Sequence, residues 1–274
     1  MIDLHTHTTA SDGGLSPSAL VSRASAAGLT VLSVTDHDTL AGSGAAAEAC
    51  SAAHIEFVAG IEITAIRDER DVHTLGYFVD VASTGLAQFL AAQRQIRIDR
   101  VREMIARLAR FGIELDADRI LQPARDDPSR SAGRPWIARA LVAGGHVKTT
   151  NEAFLRWLGR GGAAFVPRAG ASPDEVIGRI HDAGGIASVA HPGPLNRDEW
   201  LPGLVGAGLD AVEAYHTDHD AAATAKYLAL ADRLGIAVTG GSDFHADPAH
   251  GAALGGVTLP RERYEKLKSL VRSA

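Results

Sequence analysis

The stretch Asp3–Thr8, with the sequence DLHTHT, places two histidines two residues apart in a run of apolar and β-branched residues. In a β-strand, alternate side chains point to the same face, so His5 and His7 are predicted to aim at one point. Gly241–His245, with the sequence GSDFH, repeats the arrangement with an aspartate and a histidine. If both segments lie in one parallel sheet, their carboxyl ends can meet and form a metal site of mixed nitrogen and oxygen character.

Further segments carry single groups that could ligate a metal. Val31–Asp38 is an apolar run that ends in acids and a histidine, and Ala187–Gly193 ends in a histidine followed at once by Pro and Gly. Gly60–Thr64 contains a glutamate, Val72–Tyr77 contains a histidine, and Asp12 lies in a short Gly-rich loop. The candidate metal ligands are His5, His7, Asp12, His37, Glu62, His73, His191, Asp243 and His245.

Each of these residues has an alternative reading when it is taken alone. A single histidine or glutamate on an apolar strand is more often a hydrogen-bonded core residue or a surface residue than a ligand. The set as a whole changes this balance, because several strand ends carry such groups and few other strand ends do. Unpaired buried charges are costly, so their accumulation indicates a cation or a reaction that stabilises them.

Strands and helices alternate through most of the chain. Ser16 is a suitable N-cap for a helix that has Pro17 in its first turn and that Gly28 ends. Ser172–Glu175 begins a later helix in the same way, and Asp218–Leu234 is typical of another. Such repetition predicts parallel strands, and in barrels of this kind the active groups gather at the carboxyl ends of the strands.

Residues 86–162 interrupt this alternation, because they contain no clear strand. An apolar stripe over Leu90–Leu108 predicts a helix, Gln122–Ser131 is typical of a loop, and Trp136–Ala143 and Glu152–Leu158 are typical of short helices. We expect a helical insertion that caps the barrel mouth.

Arginines are concentrated on the first helix of this insertion and form either a solvated basic face or a partial site for a polyanion. They are Arg94, Arg97, Arg100, Arg102, Arg107 and Arg110.

A phosphate site needs donors beside the metals, and the chain offers three candidates. Arg134 lies in a Gly-Arg-Pro turn and has a planar guanidinium that matches a phosphate. Lys148 follows a Gly-rich loop and could supply a point charge. His216 follows the strand Asp210–Tyr215, near a strand end where a leaving oxygen could be met. The alternatives are a surface charge for Arg134 and Lys148 and an ordinary loop histidine for His216.

Four motifs, in order along the chain, resemble those of the PHP (polymerase and histidinol phosphatase) family. They are Asp3–His7, Thr35–Asp38, Ala190–Pro192 and Gly241–His245. The resemblance implies an α/β fold, a distorted (β/α)7 barrel of parallel strands, formed by residues 1–85 and 163–274 around an inserted helical subdomain at 86–162. Gly133–Val142 and Phe165–Pro167 resemble the insertion of family members that act on nucleotides and RNA 5′ ends.

The resemblance also implies a trinuclear site. Mixed carboxylates and imidazoles suit Mn²⁺ first, with Fe²⁺ or Zn²⁺ as alternatives, and we expect two or three ions per chain. Such ions activate water and neutralise phosphoryl oxygens. We expect Asp12, His37, His191 and His216 to take part in catalysis. The implied ligand sets are His5, His7, Glu62 and Asp243 for one ion, Asp12, His37 and His245 for a second, and His73, His191 and the bridging Glu62 for a third.

The expected reaction is hydrolysis of a phosphomonoester, the 3′-phosphate of a nucleoside 3′,5′-bisphosphate, with 5′-3′ trimming of short RNA as an additional activity. Histidinol-phosphate phosphatase is the enzymatic alternative. A non-catalytic metal and nucleotide sensor is the alternative from another class. No Gly-x-Ser-x-Gly elbow occurs, so the sequence does not indicate a serine nucleophile of that type.

Composition agrees with a small-molecule enzyme. The chain has 274 residues and a net charge of −6, which argues against broad, non-specific nucleic-acid binding. Cys50 is the single cysteine, so no intrachain disulfide can form. Neither a secretory signal nor an apolar run long enough for a membrane span is visible. We therefore expect a cytoplasmic protein with a nucleotide substrate, no membrane association and no stable protein partner.

Overall fold

The computed structural model describes residues 1–127, 132–247 and 252–271. No helix within these ranges is both long and apolar enough to cross a membrane. A π-helical turn at Phe154–Leu158 follows α6, and a 3₁₀ turn at Asp198–Trp200 precedes α9. The strands are β1 (Ile2–Asp3), β2 (Val31–Val34), β3 (Glu56–Arg67), β4 (Arg70–Tyr77), β5 (Ile186–Val189), β6 (Ala211–Tyr215) and β7 (Ala237–Gly240). The α-helices are α1 (Pro17–Ala26), α2 (Ser43–Ala52), α3 (Thr84–Ala109), α4 (Ala117–Asp126), α5 (Arg134–Ala143), α6 (Thr150–Ala153), α7 (Pro173–Asp182), α8 (Pro192–Leu195), α9 (Leu201–Gly206), α10 (Ala221–Leu234) and α11 (Arg261–Lys268).

The described strands form one sheet whose spatial order follows the sequence from β1 to β7. Neighbours are parallel from β1 to β3 and from β5 to β7, with Asp3 opposite Leu32 in the first pair. β4 is antiparallel to β5. The expectation that all strands are parallel is therefore wrong at β4. The reason is that a tight turn at Asp68 and Glu69 joins β3 to β4, where a parallel pair would need a long crossover.

The chain after β7 returns to β1 and nearly closes the sheet into a barrel. Thr6 forms a parallel bridge with Phe244, and the N–H of His7 donates to the carbonyl of Phe244 at 2.9 Å. The N–H of Leu4 donates to the carbonyl of Gly240 at 3.3 Å. This closure confirms the α/β barrel and places the two ligand-rich ends of the chain side by side.

Side-chain caps begin the helices that the sequence predicted. Ser16 accepts a hydrogen bond from the N–H of Ala19, and Pro17 occupies the first turn of α1. Ser172 caps α7 and Asp220 caps α10 in the same way. A cap of this kind stabilises a helix by about 1 kcal/mol. The caps therefore define where the loops after the strands end, and these loops carry several of the candidate site residues.

Buried apolar side chains hold the strands and their helices together. Leu4, directly after β1, and Ile61 of β3 are fully buried. Leu20 of α1, Leu32 of β2 and Cys50 of α2 belong to one apolar cluster. Burying a leucine or isoleucine stabilises the fold by about 1.5–3 kcal/mol. This packing supplies a rigid support for polar groups at the strand ends.

The chain forms two compact units. The barrel unit comprises Met1–Arg67, Asp71–Phe89 and Ala171–Ala274, and the helical unit comprises Asp68–Arg70 and Leu90–Gly170. The helical unit has its own apolar core, whose members include buried residues of α3, α4 and α5. The insertion expected at 86–162 falls largely within the helical unit, which continues to Gly170.

The expectation of a loop over Gln122–Ser131 is wrong in its first part, because α4 extends into it. Asp116 caps this helix, and Leu121 is fully buried in the core of the helical unit. These contacts stabilise the helix although Pro123 lacks a backbone N–H to donate. Pro128–Ser131 lie outside the described residues.

Two arginines of α3 bind backbone carbonyls within the helical unit. Arg100 donates from Nη2 to the carbonyl of Val166 at 2.8 Å and from Nε to that of Pro167 at 3.2 Å. Arg107 donates to the carbonyl of Phe165. Part of the arginine-rich stripe therefore fixes the returning segment, a structural role that the sequence analysis did not consider.

Candidate metal centre

Ligand-type groups from the first and last strands of the barrel meet at one edge. His5 and His7 are fully buried, and their ring centroids lie 5.2 Å apart. Their Nε2 atoms lie 3.2 and 3.1 Å from Oδ1 of Asp243. The two-residue period of the strand explains why both rings reach the same carboxylate. One carboxylate oxygen thus faces two imidazole nitrogens, as it would around a shared cation.

Glu62 stands at the centre of the cluster, and its two oxygens face different histidines. Oε1 lies 2.8 Å from Nδ1 of His73 and 3.1 Å from Nε2 of His191. Oε2 lies 3.1 Å from Nδ1 of His37 and 3.3 Å from Nε2 of His7. Because the side chain is only 1% exposed, these imidazoles replace water around the carboxylate. This geometry allows one carboxylate to bridge two cation positions.

Asp12 forms the more exposed side of the cluster. Its Oδ1 lies 3.3 Å from Nε2 of His245, and its Oδ2 lies 3.6 Å from Nε2 of His37. Asp12 is 55% exposed, whereas His7, which stacks on His245 with ring centroids 4.1 Å apart, is buried. All nine candidate ligands therefore lie together, and their coordination of metal stays a prediction.

His216 joins this cluster from the end of β6. Its Nε2 lies 3.5 Å from Oδ2 of Asp243. Its Nδ1 accepts a hydrogen bond from the backbone N–H of Asp218 at 3.1 Å. A neutral ring with Nδ1 as acceptor carries its proton on Nε2. His216 therefore directs a potential proton donor toward the cluster.

Several non-glycine residues next to the strand ends have left-handed backbone conformations. Asp38, His191 and Asp243 have φ values of 54°, 26° and 54°. Such conformations cost about 1–3 kcal/mol each and persist where the surrounding structure fixes them. Their concentration beside the imidazoles and carboxylates is typical of a functional site.

Opposite charges control protonation in the cluster. Burial raises the pKa of Glu62, but the imidazoles around it, His37 first, outweigh burial and hold that pKa well below its ordinary value. Burial lowers the pKa of His7, yet Asp243 and Glu62 raise it to about 9. Burial is the main cause that lowers the pKa of His37 to about 3. Glu62 therefore stays ionised at neutral pH and attracts positive charge, either as protons or as metal ions.

Known proteins are similar to this chain over most of its length. Residues 3–131 match the PHP domain. The chain is 34% identical over 259 residues to the 3′,5′-nucleoside bisphosphate phosphatase of Chromobacterium violaceum, a match that covers 93% of this chain and 90% of that protein. The chain belongs to the PHP family. It is also 36% identical over 251 residues to a 5′-3′ exoribonuclease of Haemophilus influenzae, with 89% of each protein covered.

A solved structure agrees with this assignment. A protein of Bifidobacterium adolescentis, assigned as a metal-dependent phosphoesterase, matches with a TM-score of 0.79 and 31% identity, over 99% of this chain and 96% of that one. The resemblance inferred from the four motifs is confirmed. This PHP protein is a phosphoesterase, a hydrolase whose family uses divalent metal ions.

The donor atoms of the cluster fit divalent cations. Both ring nitrogens of His7 and Nδ1 of His37 are buried and make no hydrogen bond to any described residue. Buried polar atoms are nearly always paired, so such nitrogens beside carboxylates indicate ligands. Within the described ranges, four groups of residues have ligand atoms within 4.8 Å of one another. Imidazole and carboxylate together suit Mn²⁺, Fe²⁺ or Zn²⁺.

Three buried carboxylates next to the cluster were missed by the sequence analysis. Asp3 and Asp36 accept hydrogen bonds from backbone N–H and hydroxyl groups of the segments that carry ligands. Glu213 lies 2.9 Å from Nδ1 of His5. These carboxylates could have been found because each acid lies within or directly after an apolar strand. A charge that is buried in this way requires a partner.

Arg134 and Lys148, the predicted phosphate-binding residues, lie in the helical unit. The guanidinium of Arg134 lies 5.5 Å from the centroid of the Phe154 ring and donates to the carbonyl of Leu158 at 3.5 Å. Lys148 is exposed, and its backbone N–H donates to the carboxylate of Glu152 at 2.8 Å. Phosphate binding by these two residues stays a prediction.

Proposed function

We propose that this protein removes the 3′-phosphate from nucleoside 3′,5′-bisphosphates and releases a nucleoside 5′-monophosphate. The observation that carries the proposal is the cluster of imidazoles around the buried Glu62 at one end of the barrel. The 34% identity to a bisphosphate phosphatase supports this choice of substrate. The identity to an exoribonuclease supports 5′-3′ trimming of short RNA as a second activity.

The proposed ligand assignment is the one that the resemblance to the PHP family implies. Glu62 would belong to two of the ligand sets, and its two oxygens face different histidines. Mn²⁺ is our first choice, with Fe²⁺ or Zn²⁺ as alternatives. The proposed sets are His5, His7, Glu62 and Asp243, then Asp12, His37 and His245, and finally His73, His191 and Glu62.

Bound divalent cations supply Lewis acidity toward the phosphoryl oxygens and make hydroxide accessible as a nucleophile at neutral pH. Asp12 orients the attacking water by accepting its hydrogen bond. Burial raises the pKa of Asp12, but His245 and His37 outweigh it and hold that pKa below its ordinary value, so Asp12 is a carboxylate at neutral pH. His37 and His191 would act as metal ligands and would position the reacting phosphate through the bound cations.

His216 is the proposed proton donor. The hydrogen bond that Nδ1 accepts from Asp218 leaves the proton of the neutral ring on Nε2, the nitrogen nearer to Asp243. The oxygen of water bonds to phosphorus, the bond from phosphorus to the ribose 3′-oxygen breaks, and His216 protonates that leaving oxygen. The products are inorganic phosphate and an alcohol, and no covalent protein intermediate is required.

Arg134 and Lys148 are the proposed partners of the second phosphate of the substrate. Arg134 can match a phosphate with its planar guanidinium, and Lys148 can supply a point charge. Binding energy from a group remote from the reacting phosphorus can be expressed in the transition state and raise kcat/KM. A 3′,5′-bisphosphate should therefore react faster than a 3′-monophosphate.

Phosphate release with added Mn²⁺ tests the proposal. Adenosine 3′,5′-bisphosphate should have a kcat/KM at least about tenfold above that of 3′-AMP, which is about 1.4 kcal/mol of transition-state binding. 5′-AMP should accumulate as the product. Comparable rates with histidinol phosphate would favour the histidinol-phosphate phosphatase alternative. Metal binding without turnover of any of these esters would favour a sensor.

A further inference from the structure

Glu213 contacts two of the proposed metal ligands at once. It lies in β6 and is fully buried. Its Oε1 lies 2.9 Å from Nδ1 of His5, and its Oε2 accepts a hydrogen bond from the backbone N–H of His191 at 2.7 Å. One side chain therefore joins ligands that come from the first strand and from the end of β5.

The contact with His5 fixes the direction of that ring. Nδ1 of His5 faces Glu213, while Nε2 lies 3.2 Å from Asp243 and 3.4 Å from Glu62. Metal-ligating histidines commonly donate their second ring N–H to a carboxylate, which sets the tautomer and the orientation of the ring. With its proton held at Nδ1, His5 has the Nε2 lone pair available on the side where the other ligands converge.

The contact with His191 supports a strained backbone. His191 has a φ of 26° and a ψ of 62°, and Pro192 follows it directly. A hydrogen bond from a backbone N–H to a carboxylate is charge-assisted and stronger than one between neutral groups. Glu213 thus offsets part of the cost of the conformation that directs the ring of His191 toward Glu62, 3.1 Å from its Oε1.

We propose that Glu213 is a positioning residue that sets the tautomer of His5 and the backbone of His191, and so preorganises the metal centre. The proposal rests on the metal centre described under the proposed function. Glu213 acts through these two ligands, because one of its oxygens faces Nδ1 of His5 and the other the N–H of His191. Mn²⁺ affinity should therefore depend on a residue that does not ligate the ion.

The chain contains a control in Asp210, directly before β6. Its Oδ2 lies 2.7 Å from Nε2 of His181 and accepts a hydrogen bond from the N–H of Ala187 at 2.8 Å. Like Glu213, it joins one imidazole and one backbone N–H of another segment. It differs because it lies at the amino end of β6, and His181 is not a proposed ligand. Asp210→Asn therefore reports loss of a carboxylate charge from a similar structural contact without loss of ligand positioning.

The test is Mn²⁺ titration of chelator-treated wild-type protein, Glu213→Gln and Asp210→Asn, with free Mn²⁺ counted by electron paramagnetic resonance. The Gln amide can accept only one of the two hydrogen bonds. Glu213→Gln should raise the Mn²⁺ dissociation constant by about 10- to 100-fold, the usual effect of removing an outer partner of a ligand. Asp210→Asn should lower the melting temperature of the metal-free protein and keep the wild-type dissociation constant.

The outcomes are separable. Wild-type affinity in Glu213→Gln, or equal losses in both variants, would overturn the positioning role. If Glu213→Gln is not folded by circular dichroism, Glu213→Asp carries the test, because it keeps the charge but is too short to reach both partners, and wild-type affinity there would also overturn the role. A wild-type protein that binds no Mn²⁺ would overturn the metal centre together with this inference. If the Mn²⁺ dissociation constants of the three proteins differ as expected but no bisphosphate is hydrolysed, only the proposed substrate is contradicted.

Discussion

The barrel unit and the helical unit use their charged residues in different ways. In the barrel unit, imidazoles converge on the buried Glu62, and several buried ring nitrogens make no hydrogen bond to a described residue. In the helical unit, Arg100 and Arg107 donate to backbone carbonyls and stabilise the path of the chain. A charged group whose hydrogen bonds are satisfied by backbone is structural, whereas buried donors and acceptors that converge without partners indicate a ligand.

The largest effect is expected from the centre of the barrel cluster. Glu62→Gln removes the charge that faces five histidines. Metal content should therefore fall and kcat/KM should drop by about 10³-fold or more, since metal ions contribute several kcal/mol to such reactions. Metal analysis and phosphate release measure both effects. Glu114→Gln, an exposed change in the helical unit, is the control and should leave both unchanged. Full metal content and activity in Glu62→Gln would contradict the assignment.

The next effect tests whether the helical unit also binds substrate. Arg134→Ala should lower kcat/KM for adenosine 3′,5′-bisphosphate by about 1–3 kcal/mol, the range for a charge-assisted contact, with unchanged Mn²⁺ content. Arg156→Ala removes an exposed arginine that pairs with Glu152 in the same unit and serves as the control. If both variants keep the wild-type kcat/KM, the proposed phosphate-binding role of Arg134 is contradicted.

A third prediction separates structural arginines from solvated ones on α3. Arg100→Ala should lower the free energy of unfolding by about 1.5–3 kcal/mol, because a charged donor to the carbonyls of Val166 and Pro167 is lost. Arg102→Ala, which removes only exposed ion pairs, should cost less than about 1 kcal/mol. Urea denaturation measures both. Equal losses in the free energy of unfolding would contradict the distinction between arginines that bind backbone carbonyls and arginines that are solvated.

The smallest effect concerns the partly exposed ion pair between Glu56 and Lys268 in the barrel unit. Neither residue is a proposed metal ligand. Burial raises the pKa of Glu56, but Lys268 and Tyr264 outweigh it and lower that pKa below its ordinary value. A lowered pKa stabilises the fold above the unfolded-state value, and this stability is lost as pH falls through the folded-state value. Glu56→Gln should therefore cost less than about 1 kcal/mol at pH 7.

Thermal unfolding at two pH values checks the sign of this effect. The difference in stability between wild-type protein and Glu56→Gln should be present at neutral pH and disappear in acid. A difference that grows as pH falls would contradict the assignment. Wild-type metal content at neutral pH is the internal control, because Glu56 lies at the start of β3 and is not a proposed ligand.

Much of the barrel and the identity of the clustered residues could be predicted from the sequence. The ligand-type groups lie on or directly after apolar runs, and strand periodicity determines which of them share a face. The direction of β4 could not be predicted, because the turn before it, Asp68 and Glu69, lacks the Asn-Gly or Gly that typically marks a tight hairpin, although both residues have positive φ.

Other features could not be predicted because they depend on contacts between distant segments. Glu213 belongs to an apolar strand, and only the barrel shows that His5 and His191 lie within reach of its two oxygens. The α4 helix continues past Pro123 because Leu121 is buried in the core of the helical unit. Local sequence patterns describe one element at a time, and these partners belong to other elements.

The closure between β1 and the segment after β7 determines when the metal centre can form during synthesis. Asp3 accepts hydrogen bonds from Ser242, 239 residues later in the chain, and from Gly255. A nascent chain on the ribosome therefore exposes the His5 and His7 pair long before Asp243 and His245 exist. Contacts of such sequence separation form late and slowly. The proposed ligand set is consequently complete only late in synthesis, after the segment that follows β7 has joined His5 and His7.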